Sequence, residues 1–357
     1  MKNQGVRRTE LALLAASILL VVAVITLFFQ QLPLQNTTLA MDWKTEWAAM
    51  RGGNLNYRPV DGVRFPPWSL LPLLPLGLLP MKIAWGILAG ISVCIVAASV
   101  PRIPLKTLYL VSILFAVISF PSIRNIVDGN FEAIVVGGVA LLLYAYKHEN
   151  VLLLVLGFVF ATIKIQVVSL LIAILAVYVI LTWQKGKWLR AGILTAAIIL
   201  PALLWRGRDW YIAVFGANYD KYTNSIIDIS LSAALTRLGC IPPPIIALAI
   251  ALILIATITV AWKTRPSLSA NEAGSLIAAS LLLAPYAAGN SVLTLFVMGI
   301  IPLFQTQPWL GGTLIVFFNF PYLWSTETLY NYQAYYWTSL VFVTWVLLTW
   351  KSIRDPR

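Results

Sequence analysis

The sequence predicts an all-α, polytopic integral membrane protein: a single domain over residues 1–357, with about twelve transmembrane helices and one interfacial helix in the first outer loop. Three observations carry this. Hydrophobic residues make up 60% of the chain and charged ones 11%, against roughly 25% charged in a soluble domain. Leucine, isoleucine, valine and alanine gather in blocks of about 15 to 20 residues, the length a helix needs to cross roughly 30 Å of hydrocarbon. The blocks do not alternate polar with apolar residues, as the strands of a closed barrel would, and at that depth only helices or closed barrels satisfy their backbone.

The chain opens on a basic segment with Lys2, Arg7 and Arg8. The run Leu11 to Phe29 behind it has no small-residue cleavage site, so it is expected to stay as the first helix. Next comes AMDWKTEWAAMRGG, residues 40–53. A helix starting near Leu39 puts Trp43, Trp47 and Met50 at i, i+4 and i+7, a stripe suited to lying in the membrane interface, with Asp42 and Glu46 on the adjacent face. Taken alone, this stretch serves equally well as an amphipathic anchor with solvated charges. Ser69 to Pro80 is apolar but carries three prolines. Its twelve residues make about 18 Å of helix, so it is expected to be re-entrant or interfacial.

Spans are expected at 11–29, 83–100, 107–121, 131–146, 150–163, 166–183, 191–205, 244–262, 273–287, 291–305, 309–323 and 336–350. Residues 150–183 form one apolar run that Lys164 interrupts, hence two short helices meeting at that lysine. On this count the turns carrying Arg102 and Lys106, Lys147 and His148, Lys185, Lys187 and Arg190, and Lys263 and Arg265 fall in the cytoplasm, together with both termini. Nine of thirteen acids fall on or near the outer side. Outer loops at 30–68, 122–130, 206–243 and 324–335 hold the surplus polar residues, and loops this long are more often functional than accidental.

Several function classes recede. The net charge of +12 is spread over the membrane turns and makes no single basic patch, so nucleic acid is not an expected partner. Cys94 and Cys240 lack metal or redox spacing and suit core packing. Asp209, Asp220 and Asp228 lie 11 and 8 residues apart, unlike a compact metal motif. A lysine at membrane depth costs a few kcal/mol unless paired or in reach of water, so Lys164 either snorkels or binds an anion. The aromatic residues Trp205, Trp210, Tyr211, Tyr219 and Tyr222, and Trp324, Tyr330, Tyr332, Tyr335 and Tyr336, fit interfacial belts, with room for one or two to stack on a sugar.

The stretch Asp42, Trp43, Trp47, Ala48, Ala49, Gly53 and Tyr57, followed by Phe65-Pro66-Pro67-Trp68 and the proline-rich piece to Pro80, resembles the first outer loop of glycosyltransferase family 87 (the DUF2029 group), GT-C membrane glycosyltransferases. Further matches come in the family's order: Asp128 to Glu132, Gly157 to Lys164, Ser230 to Leu235 with Arg237, and Leu281 to Pro285. Two positions depart from the pattern. Tyr286 and Asn290 stand where the family commonly has a histidine, and Glu132 replaces its usual amide.

The resemblance implies an inverting hexosyltransferase. A sugar, mannose being one candidate, would pass from a polyprenyl-phosphate donor to a lipid or glycan acceptor on the non-cytoplasmic face of a bacterial plasma membrane, among membrane lipids. One carboxylate must take the acceptor's proton and cations must hold the phosphate. Asp42 is the expected base, and Glu46, Arg64, Asn130, Lys164, Arg237 and Asn290 are the expected substrate-binding residues. No metal ligand is assigned; GT-C enzymes include both metal-dependent and metal-independent members, so a divalent ion stays open. Two other readings stay open as well: a transporter or flippase, which would keep its ionisable residues at mid-membrane, and a non-catalytic membrane subunit.

Overall fold

A computed structural model describes residues 2–34, 37–57, 63–215, 227–239, 241–265, 268–324 and 326–354. Among these residues the protein is all-helical, and its one extended contact is an isolated bridge between Asp228 and Ala288. The helices are α1 (Lys2–Gln31), α2 (Met41–Met50), α3 (Pro67–Leu70, continued by a 3-10 helix Leu71–Leu78), α4 (Met81–Ser99), α5 (Lys106–Ile118), α6 (Phe120–Asp128), α7 (Glu132–His148), α8 (Val151–Ala161), α9 (Ile165–Thr182), α10 (Lys185–Phe215), α11 (Leu231–Arg237), α12 (Pro243–Thr264), α13 (Ala270–Leu283), α14 (Gly289–Thr306), α15 (Pro308–Asn319) and α16 (Thr326–Arg354).

Each of the twelve segments expected to cross contains helix, but fewer meet the demands of a full crossing. Six are long and apolar enough among the described residues, and a seventh joins them if α5 and α6, bent by 42°, form one broken span. For two of them the shortfall is one of length. At 1.5 Å per residue, the 14 residues of α13 and the 12 of α15 reach only about 21 and 18 Å. In α13 every residue from Glu272 to Leu282 is buried. It is therefore a central core helix, packed between α9 and α16.

Among the described residues, three expected loops are largely helical. Residues 122–130 belong mostly to α6, α10 runs on to Phe215, and α16 begins at Thr326. Polar residues made these stretches look like loops, yet their charges are matched along the helix: Arg124 pairs with Asp128 at 2.7 Å and Arg206 with Asp209 at 3.1 Å. Residues 216–226, with Tyr219, Asp220 and Tyr222, lie outside the described part, as do Asp61 and Cys240. The Pro67–Leu78 piece is short and apolar, as expected for a segment that does not cross.

Small residues allow a close crossing of α1 and α4. Gly86 and Gly90 share one face of α4, where a Cβ would come within 2.6 Å of Thr26 Cα and 2.7 Å of Val22 Cα. Without side chains there, α1 lies directly against α4, the small-xxx-small device of membrane helices.

Candidate active site

Helix α2 is fixed before its acids can matter. Its chain enters through Ala40 in the left-handed region (φ 53°), held by Ala40 N–H donating to Val127 O at 2.8 Å. The indoles of Trp43 and Trp47 donate to Met81 O and Leu79 O, both at 3.0 Å. Gly129 (φ 70°) passes so close that a Cβ would sit 2.4 Å from Trp43 Cβ. The Trp43–Trp47–Met50 stripe is therefore turned into the protein, with Trp43 and Met50 fully buried, and does not lie on lipid as the sequence suggested. Those two carbonyls flank Pro80, where the proline-rich segment passes into α4, and give α2 hydrogen-bond partners that hydrocarbon lacks.

With that face buried, the adjacent one presents Asp42 and Glu46 to a cavity. Asp42 Oδ2 accepts hydrogen bonds from Asn130 Nδ2 at 2.5 Å and Asn290 Nδ2 at 3.0 Å. The Asn130 amide has a fixed sense, because its Oδ1 already accepts the Glu132 N–H at 3.1 Å. Asn130 N–H in turn donates to Asn125 O at 2.9 Å, and Asn125 Oδ1 takes the Ala133 N–H at 3.3 Å, closing the turn between α6 and α7. Glu46 is 4% exposed and its Oε2 has no hydrogen bond. Burial first, and then the charge of Asp42, push its carboxyl well above the ordinary value of 4.5, while Lys164 pulls the other way.

Lys164 arrives from a different element. Residues Thr162–Lys164 form a 3-10 turn between α8 and α9, but Val151–Thr182 runs on as one 32-residue span, so the lysine marks a local break in one span and not the expected meeting of two spans. Trp68 Nε1 donates to Thr162 Oγ1 at 2.9 Å and ties this break to α3. The ammonium, 4% exposed, faces Glu132 Oε2 at 3.3 Å and donates to Ser291 Oγ at 3.3 Å. Glu132 Oε1 accepts from Thr294 Oγ1 at 2.5 Å and Thr294 N at 3.3 Å. Snorkelling is thus not its state: the lysine is held inside by an ion pair.

One cavity of about 310 Å³ joins these groups. Of the seven expected site residues, Asp42, Glu46, Arg64, Asn130, Lys164 and Asn290 line it. Arg237 does not. It donates to Asp228 O at 2.5 Å and lies over the Tyr335 ring, and Asp228 Oδ1 accepts the N–H groups of Ser230 and Ala287. Its sequence neighbourhood suggested a substrate cation, but it braces the strand-like bridge beside the cavity-lining Ala288.

Thr45, Gln166 and Ser291 also line the cavity and were not anticipated. Thr45 could have been found from its helical spacing to Asp42, whereas Gln166 and Ser291 carry no signal beyond adjacency to Lys164 and Asn290. Among the described residues, no group of three or more His, Cys, Asp or Glu converges as a metal site. On one side the cavity wall is stapled to α10, because Trp210 Nε1 donates to Arg64 O at 3.0 Å and its ring meets Trp68 edge-on.

No curated protein and no solved structure matches the chain. The profile of glycosyltransferase family 87 matches residues 64–285, well over half the chain. That segment holds Arg64, Asn130 and Lys164, with Asp42 and Glu46 ahead of it and Asn290 just after. Two carboxylates and two cations thus share one cavity in a bundle of apolar helices, and the chain belongs to glycosyltransferase family 87.

Proposed function

We propose that the Asp42 cavity transfers a hexose from a polyprenyl-phosphate donor to a lipid or glycan hydroxyl, at the non-cytoplasmic face of a GT-C-type membrane domain with both termini cytoplasmic. The observation that carries this reading is the convergence of a carboxylate, Asp42, and two cations, Arg64 and Lys164, on one cavity.

The acceptor oxygen attacks the anomeric carbon as the bond to the phosphate oxygen breaks, and that electron pair leaves on the phosphate. The acceptor's proton passes to Asp42. Both Asn130 and Asn290 bond Oδ2, which leaves Oδ1 for the incoming hydroxyl. Arg64 and Lys164 offset the charge gathering on the phosphate. Attack from the face opposite the phosphate inverts the anomeric centre. Burial and the charge of Asp42 favour the protonated form of Glu46, whose carboxyl lines the cavity beside Asp42.

A lipid donor is supported by a second, almost wholly apolar cavity of about 550 Å³ between α8, α9 and α10, lined by Phe158, Ile172, Leu175, Val179, Trp188 and Ile199. It begins within two to three helical turns of Lys164, within reach of a prenyl chain whose phosphate lies at the lysine.

Purification with bound lipid followed by mass spectrometry tests the donor, and a co-purifying polyprenyl phosphate sugar is the expected result. In proteoliposomes, Asp42→Asn should lower transfer about 10²- to 10⁴-fold, the range for a general base, and leave donor binding nearly unchanged. Wild-type turnover in that variant would remove Asp42 from the base role.

A further inference from the structure

Glu132 has no part in the step just described, yet it is fully buried and commits both carboxylate oxygens at the site. Thr294 clamps Oε1 through its hydroxyl and its N–H, so the carboxylate cannot swing away, and Oε2 is left facing Lys164 Nζ at 3.3 Å. Oε2 has no hydrogen bond of its own; the ammonium is what it faces. A phosphate approaching Lys164 therefore meets an ammonium already offset by a fixed negative charge.

The charge of that phosphate changes during the reaction. The donor is a phosphodiester with one negative charge. The lipid phosphate left after transfer is a monoester that approaches two, since its second ionisation lies near pH 6. Coulomb attraction grows in proportion to ligand charge, so a bare lysine would hold the product more tightly than the substrate.

Resting on Lys164 as the phosphate anchor, we infer that Glu132 is a positioning residue that tempers the Lys164 charge, so that the site accepts the singly charged donor and releases the doubly charged lipid phosphate. Glu132→Gln keeps the shape and an acceptor for Thr294 but removes the charge. Affinity for a singly charged lipid should rise by about threefold and for a doubly charged one by about tenfold, the square of the first, because the interaction scales with charge.

The probes are farnesyl phosphate, a monoester, and methyl farnesyl phosphate, a diester, with dissociation constants measured on the purified full-length protein at pH 8. In Glu132→Gln both should tighten, the monoester more. At about pH 5, where the monoester carries a single charge, the difference between the two probes should disappear. A packing role alone would move the melting temperature and leave the monoester-to-diester ratio unchanged.

Should Glu132→Gln fail to fold, Glu132→Asp keeps the charge but draws it back by one methylene, and a smaller shift of the same ratio is expected. In Lys164→Met both probes should weaken, the monoester more. If Lys164→Met leaves both affinities unchanged, the phosphate-anchor reading falls, and this inference with it. If Lys164→Met weakens both while Glu132→Gln shifts neither, or shifts both equally at pH 8, only the role of Glu132 is overturned.

Discussion

Asn290 donates its side-chain amide to Asp42 Oδ2 at 3.0 Å across 248 residues of sequence. The first turn of α14 thereby helps to aim a carboxylate on α2, and Asn130 aims the same oxygen from the α6–α7 turn. Hydrogen bonds to charged groups contribute roughly 1.5–3 kcal/mol, so Asn290→Ala should lower kcat about tenfold or more with little change in KM. Steady-state kinetics in proteoliposomes measures this, and an unaltered kcat would mean that Asn130 alone orients Asp42.

Glu46 gives the protein a dependence on pH. Its folded carboxyl is raised well above 4.5, chiefly by burial and next by Asp42. An acid raised in this way favours the folded state fully below its unfolded value, and that contribution is lost as pH rises through the folded one. The melting temperature should fall as pH climbs from about 4.5 toward the raised folded value, and Glu46→Gln should flatten that fall. Thermal unfolding across pH in detergent tests it; parallel curves for the two proteins would refute it.

Gly129 combines a left-handed backbone with a close neighbour. In Gly129→Ala the new Cβ would meet Trp43 Cβ at 2.4 Å, so α2 must shift and carry Asp42 with it. A loss of about 1–3 kcal/mol is expected, together with a matching loss of kcat. Gly52, also at positive φ but with nothing within 4 Å, is the comparison: Gly52→Ala should cost only about 1 kcal/mol and spare kcat.

Arg64 and Arg237 should behave differently. Arg64→Gln removes a cation from the cavity wall and should raise the donor KM. Arg237→Gln removes the brace on Asp228 O and should lower the melting temperature without shifting the donor KM. Equal KM effects would return Arg237 to the binding site.

Much of the site was legible because local spacing carried it. Asp42 and Glu46 are four residues apart on a short helix, so they had to share a face, and Lys164 interrupts an apolar run, so it needed a partner. What the partner was could not be read: Glu132 lies 32 residues upstream on α7, and only packing brings its Oε2 to the ammonium. The direction of the tryptophan stripe was equally hidden. Lipid and a protein interior are both apolar, and the carbonyls of Leu79 and Met81 that decide between them leave no mark in residue type. The reach of α10 past Arg206 was missed because its polar residues resembled a loop, while Arg206 in fact joins Asp209 on its own helix and Asn54 outside it.

The Trp210–Arg64 staple has a mechanical consequence. Helix α10 is 31 residues long, about 46 Å, and buries only Ala191, Ala202 and Ala213. A rod that exceeds the roughly 30 Å oily layer and is gripped so lightly accommodates thinner or thicker bilayers by tilting. Its far end would then pull on the backbone of Arg64, so turnover should vary with the acyl-chain length of the surrounding lipid.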